Sequence, residues 1–194
     1  MGRVSRDQAA ENRAAVVAAA SVLFRRKGLD GVGIAELMAE AGLTHGGFYR
    51  QFGSKDGLAA EACAHAFDSA GQAWGAAGEG DAAGRLRRLA KFYFTPKPAG
   101  CDCPMATLAG DAARTPTGGP LRRAFTAGLR RLAGLVAGEK PDDKALALFA
   151  AMVGAAVLRR AGDDPALAAS IEAAVLRLAE ASQGPASGLS ARAH

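Results

Sequence analysis

Between Gly33 and Leu58 the chain reads GIAELMAEAGLTHGGFYRQFGSKDGL, two short segments of helical apolar spacing that meet at one glycine, Gly42. Ile34, Leu37, Met38 and Ala41 recur at the steps that put them on one helix face, and a second short helix is expected from Thr44 to about Phe52. Gly42 falls where so tight a turn demands a positive φ, which residues with a Cβ adopt reluctantly. Leu43 is suited to plug the space between the two helices and Thr44 to cap the second. Helices joined this closely cross one another, so the outer face of the second stays open to solvent.

The rest of the chain points to an all-α fold. Apolar types make up 49% of the 194 residues, alanine dominates, and β-branched and aromatic residues are few. Val16, Ala19, Ala20, Leu23 and Phe24 mark a first helix over 9–27, stopped by Gly28. Ser54 is placed to cap a fourth helix from Lys55 towards Trp74, after which GAAGEGDAAG loosens the chain. RLRRLAKFYF reads as helix five, TPKPAGCDC as a loop, and Pro104 to Arg114 as helix six with proline in its first position. Beyond TPTGGP, helices are expected over 121–136, 142–160 and 164–181, and the tail SQGPASGLSARAH is expected to be disordered. The resulting division is a helix-turn-helix domain over 1–54, a larger helical domain over 55–183 and a tail over 184–194.

Several function classes are disfavoured. No run approaches the roughly 18 apolar residues that span a bilayer, and MGRVSRDQAAENR has no apolar signal core, so a cytoplasmic location without membrane contact is expected. Cys63, Cys101 and Cys103 are an odd number and are expected to be reduced. Histidine occurs only at positions 45, 65 and 194, no Ser or Cys nucleophile has a paired base, and no phosphate-cradling glycine loop is present. No catalytic residues and no cofactor are therefore expected. A zinc site from Cys63, His65, Cys101 and Cys103 is disfavoured because Cys63 and His65, two apart on a helix, face different directions.

The net charge of +5 is compatible with nucleic acid but does not require it. The helix pair carries the stronger argument, since a supporting helix, a glycine turn and a second helix with a free outer face form the arrangement that enters a major groove. Phe48 and Phe52, four apart, can anchor the second helix inward and leave His45, Gly46, Tyr49 and Arg50 on its outer side. Gly46-Gly47 costs helix stability, which fits close backbone approach to DNA or fraying of a short helix. Lys55 stands at the dipole end of helix four that disfavours a cation, and a phosphate held there would relieve the mismatch. Arg3 and Arg6 offer a basic arm for a minor groove, or simply a frayed terminus.

Thr44, Gly46, Phe48, Tyr49, Phe52, Ser54, Lys55 and Leu58, following Ala41-Gly42, resemble the DNA-binding signature of the TetR family over residues 9 to about 60. The resemblance implies that Thr44, Tyr49 and Lys55 contact phosphates while His45, Gly47 and Phe48 lie near base edges. Gly33 departs from it, standing where the family usually has a Ser or Thr cap. It implies a homodimeric repressor of a palindromic operator, released by a small molecule, with central helices around an effector cavity and the last two helices forming a four-helix bundle with a second subunit.

The sequence supports such a dimer on its own terms. Ala150, Ala151, Gly154 and Ala155 lie beside Leu146, Phe149, Val153 and Val157, so two backbones can approach closely, and the last helix offers Ile171, Val175 and Leu178. Phe149, Val153, Val157, Ile171, Val175 and Leu178 are the dimerisation candidates. The resemblance implies that Cys63, Phe67 and Trp74 on helix four, Phe92 on helix five, Met105 and Leu108 on helix six, and Phe125 on helix seven line an apolar cavity, though the same residues equally describe a core. An apolar or weakly polar effector is expected. Cys101 and Cys103 lie in a Pro/Gly loop before a helix, which leaves open a thiol-based redox or electrophile sensor or one packed and one incidental cysteine; GCDCPMATLAGDAAR also resembles a Cys-Pro segment of a subset of TetR-like regulators, and that resemblance implies that the segment helps shape the effector cavity. A helical adaptor without DNA binding would be expected to show a damaged turn or to lack Tyr49 or Lys55, and all are present.

Overall fold

The computed structural model describes residues 6–81, 84–138 and 143–181, and Arg3 and the tail over 184–194 lie outside them. Regular structure among the described residues is helical throughout: α1 (Arg6–Lys27), α2 (Ile34–Glu40), a 3-10 turn (His45–Gly47), α3 (Phe48–Phe52), α4 (Lys55–Ala77), α5 (Arg85–Phe94), α6 (Pro104–Arg114), α7 (Pro120–Ala137), α8 (Asp143–Ala161) and α9 (Pro165–Ala181). The limits follow the punctuation of the chain. Gly28 ends α1 in the left-handed region, its amide bonded to the Phe24 carbonyl at 2.9 Å. Pro104 opens α6 after Cys103, which stands at the N-cap. Among the limits that differ from expectation, α1 begins at Arg6, making that residue part of a helix rather than of an arm, and α4 continues to Ala77 because two alanines follow Gly75 before the glycines at 78 and 80.

The chain falls into two compact units. The first comprises Met1–Gln72 and Pro96–Leu132, the second Ala73–Thr95 and Ala133–His194, so α4 and α7 each contribute to both. In the first unit α1 packs against α2 and α6, and its core is built from Val16, Ala20, Leu23 and Phe24 of α1 with Leu37 and Met38 of α2 and Phe48 of α3. Further along this unit Phe67 of α4 meets Phe125 of α7 edge to face, ring centroids 5.4 Å apart. The helices approach there so closely that a Cβ on Gly128 would overlap the Phe67 ring.

In the second unit α8 packs along α9, and α5 lies against both. Trp74 is its centre, edge to face with Tyr93 at 5.5 Å and with Phe149 at 6.1 Å. Phe149 and Val175, expected at an intersubunit surface, are instead buried within their own unit. A helix whose apolar band spans more than half its circumference uses its largest ring to complete the interior core first. Val153 and Ile171 are half-buried, and Val157 and Leu178 are exposed.

Candidate nucleic-acid interface

The turn between α2 and α3 has the geometry its residues imply. Gly42 sits at φ +70°, and the chain closes through Gly42 N–H to the Ala39 carbonyl (2.9 Å) and Leu43 N–H to the Met38 carbonyl (2.8 Å). The reading segment begins differently from expectation. His45, Gly46 and Gly47 form a 3-10 turn, and the N-cap of α3 is Gly47 without a side-chain cap bond. Thr44 is therefore not the cap of α3; it lies exposed before the 3-10 turn. Two successive glycines lower helix propensity enough to delay the α-helical start by one turn.

The two phenylalanines separate the inner from the outer side of this segment. Phe48 is 0% exposed, with its ring 5.6 Å from Phe52 and 5.2 Å from Tyr49. Its expected place near base edges is thus corrected: it is a core residue acting from behind the surface. Tyr49 is 61% exposed, and Thr44, Gly46 and Arg50 are exposed beside it, with Gly47 half-buried. An exposed aromatic ring carrying a hydroxyl, held edge-on by a buried ring, is a rigid donor for a phosphate oxygen.

Lys55 opens α4, whose first amides have no intrahelical acceptor. Ser54 satisfies one, its Oγ accepting from Gly57 N–H at 3.0 Å, as its position in the sequence implied. Lys55, half-buried, shares the start of α4 with the remaining free amides, three residues after Phe52 closes α3. On the other flank Arg13 of α1 stacks over the Phe52 ring at 4.9 Å and pairs with Glu61 of α4 at 2.6 Å, bracing three helices of the head. The N-cap of α2 is Gly33 in extended conformation with no side-chain cap bond, so that start lacks the hydroxyl cap the signature usually supplies.

The effector candidates divide between the two units. Cys63, Phe67, Met105 and Leu108 are buried in the first and Trp74 in the second; Phe125 and Phe92 are half-buried in the first and second respectively. Cys101 is exposed and Cys103 half-buried. Burial pushes the Cys63 thiol from 9.0 up to about 12. The folded chain thus holds a proton that the unfolded chain releases above pH 9, so Cys63 contributes stability that is complete below that pH and declines as pH rises towards 12. In urea titrations between pH 8 and 11, Cys63→Ala is expected to show a shallower alkaline loss of stability than wild type; parallel curves would contradict this. Among the described residues no group of three His, Cys, Asp or Glu side chains is placed to hold a metal.

Sequence reasoning missed two polar residues of the first unit. Arg25 of α1 is buried, and Asp111 of α6 is buried while accepting from Leu29 N–H at 3.3 Å. Both interrupt apolar stripes, Arg25 next to Phe24 and four after Ser21, Asp111 three after Leu108. A charge on the apolar face of a helix was the available signal.

Residues 16–62 match the bacterial regulatory proteins, tetR family. No curated protein matches the chain. A TetR transcriptional regulator from Chloroflexus aurantiacus J-10-FL has a similar structure, with TM-score 0.72, 26% identity, and 89% of this chain and 94% of that chain covered. A transcriptional regulator from Saccharomonospora viridis, solved in complex with choline, has TM-score 0.73 at 19% identity, covering 88% and 96%. The reduced form of Escherichia coli NemR has TM-score 0.66 at 20% identity, covering 84% and 94%.

Proposed function

We propose that this chain, which carries the N-terminal domain of the tetR family of bacterial regulatory proteins over residues 16–62, is a cytoplasmic repressor that binds a palindromic operator as a homodimer and is released by a small molecule. The observation that carries the reading is the exposed Tyr49 segment standing on fully buried Phe48, in the helix that precedes α4 and its first residue, Lys55. The division of labour is a reading domain over 1–54 and a sensing and dimerising domain over 55–183. Thr44, Tyr49 and Lys55 hold phosphates, Gly46, Gly47 and Arg50 face the groove, His45 is a candidate for base contact whose side chain lies outside the described ones, and a glycine-rich surface leaves much of the specificity to DNA shape.

Dimerisation is supported by the placement of exposed apolar side chains. Apart from Tyr49, the large exposed hydrophobic residues among those described are Leu146, Val157 and Leu158 on α8 and Leu167 and Leu178 on α9. Apolar surface confined to two neighbouring helices of one unit favours a second copy of the same pair. The dimer sets two reading heads about one DNA turn, roughly 34–36 Å, apart. The buried aromatic and thioether groups favour an apolar effector, which acts by changing that separation. No helix among the described residues is long and apolar enough to cross a membrane.

The test is fluorescence anisotropy of the full chain against DNA upstream of its own gene, across a salt series. Lys55→Ala is expected to weaken binding to every sequence and to lower the salt slope by about 1, and Tyr49→Phe to weaken binding without changing that slope. An unchanged slope in Lys55→Ala would remove its role as a phosphate clamp. Binding that never exceeds that of random DNA would favour the adaptor reading instead. A second reading, release through thiol chemistry, is favoured by exposed Cys101 and half-buried Cys103 in one loop.

A further inference from the structure

Between Asp111 and Glu139 the chain carries Arg114, Arg122, Arg123, Arg130 and Arg131 and no acidic residue. Setting these five aside leaves 19 basic residues against 19 acidic ones, so this stretch accounts for the whole net charge of +5. Two of the five are neutralised, Arg114 by Asp111 and Arg131 by Asp68. Arg122 and Arg123 bond only to neutral groups: Arg122 donates from Nη1 to the Thr115 carbonyl (3.2 Å) and to Thr117 Oγ1 (3.3 Å), Arg123 from Nη1 to the Gly118 carbonyl. Arg130 is exposed and has neither a hydrogen bond nor an ion pair among the described residues. With Thr117 and Thr126 these three arginines line one concavity of about 370 Å³, and no carboxylate is in its lining.

The register of α7 on α4 places this surface at the end of the first unit that holds the reading head. Phe125 packs on Phe67, a Cβ on Gly128 would meet Phe67, and Arg131 pairs with Asp68 and lies against Gly71. These contacts rise together along both helices, so α7 runs in the same sense as α4 and its start lies towards the start of α4. Continued back to Pro120, the register sets the first turn of α7 beside about residues 60–63, roughly 8–12 Å along α4 from Lys55 at 1.5 Å per residue. The loop before α7 leaves from the same end: α6 stops at Arg114, three residues after Asp111 accepts the Leu29 amide between α1 and α2. Side chains on a helix lean towards its N-terminus, which for α7 is the direction of the head.

We propose that the start of α7 is a second phosphate-binding surface for DNA, in which Arg122 and Arg123 hold backbone oxygens outside the helix-turn-helix. The inference rests on the DNA-binding reading above and extends its contacts beyond Thr44, Tyr49 and Lys55. A guanidinium fork beside threonine hydroxyls suits a phosphodiester, since the fork donates to two oxygens and a hydroxyl to another. Like charges gathered without an acid repel one another, and a row of phosphates turns that repulsion into attraction while releasing the counterions of the DNA. Such contacts carry no base information; they add affinity and fix the pose of the head. A small phosphate compound would be gripped by all three arginines alike, whereas a duplex arriving at the head meets Arg122 and Arg123 before Arg130, which lies about two turns further along α7.

The full chain and its variants are titrated by fluorescence anisotropy against DNA upstream of the gene across a salt series, with ethylation interference on the same complexes. The pair Arg122→Gln and Arg123→Gln, made together, is expected to weaken binding about tenfold or more and to lower the salt slope about twice as much as Lys55→Ala, because it removes two phosphate contacts per subunit rather than one. The pair Arg122→Lys and Arg123→Lys keeps the charge without the same bonds to the loop, and is expected to keep the slope; equal losses from both pairs would make the arginines props of the loop and overturn the proposal. Arg130→Gln is expected to change the slope less than half as much as Arg123→Gln, and equal losses from these two would assign the concavity to a small phosphate compound instead. Ethylation is expected to mark phosphates whose modification harms the wild-type complex and not that of the glutamine pair. An unchanged slope and interference pattern in the glutamine pair, with Lys55→Ala still responding, would overturn this surface and leave the DNA-binding reading standing. Wild-type binding that does not respond to salt would sink that reading and this surface together.

Discussion

Phe48→Ala is expected to destabilise the protein by about 3–5 kcal/mol, the usual cost of emptying a fully buried aromatic site. Native domains hold only about 5–15 kcal/mol in total, so the substitution endangers the reading head as a folded object. Phe48 is fully buried, supports Tyr49 edge-on and touches Phe52, over which Arg13 stacks. Operator binding is therefore expected to fail in step with unfolding. Phe48→Leu, which keeps most of the volume, is expected to cost roughly 1.5 kcal/mol or less and to retain binding in the cold. Urea denaturation and DNA titration on the same samples check this. A Phe48→Ala protein with wild-type stability and no operator affinity would return Phe48 to the contact surface.

Gly128→Ala is expected to cost about 3 kcal/mol, at the upper end for overpacking, although it adds a single methyl group. The new Cβ would overlap Cγ and both Cδ atoms of Phe67. Phe67 is itself buried and held edge to face by Phe125, so its ring cannot swing clear without breaking that pair. At Gly134, six residues on in the same helix, an added methyl group would point into open space with nothing within 4 Å. Gly134→Ala is expected to stabilise by about 0.5–1 kcal/mol through helix propensity alone. The urea midpoints of the two variants should move in opposite directions. A Gly128→Ala protein that melts like wild type would mean that α4 and α7 separate freely at this point.

Much of this was legible in the chain because its information is local. Gly28, Gly42, Ser54 and Pro104 mark turns, caps and starts within a few residues of where they act, and the structure keeps each of them. The errors arise where a local rule meets a competing one. Thr44 is a good capping residue, but Gly46 and Gly47 behind it favour a 3-10 turn and shift the α-helical start. Periodicity identified α8 and α9 as broadly apolar without saying which side faces their own core, so Phe149 and Val175 were misplaced and the exposed Leu158 and Leu167 overlooked. Arg25 and Asp111 were missed for another reason: a charge on an apolar helix face marks each of them, but the partner through which it matters lies some 77 to 82 residues away, and no local pattern encodes such a pairing.

Those separations carry a consequence for the chain as it is made. The bond from Arg25 to residue 102 and the bond from Leu29 to Asp111 span 77 and 82 residues. Ribosomes add roughly 5–20 residues per second, so the first helix waits about 4–16 seconds for these partners to be synthesised. During that interval the amino-terminal head has its own apolar core but lacks the two polar clasps that seat α1 on α6. The nascent head is consequently a looser object than the finished one, and its final docking belongs to the middle of synthesis rather than to its beginning.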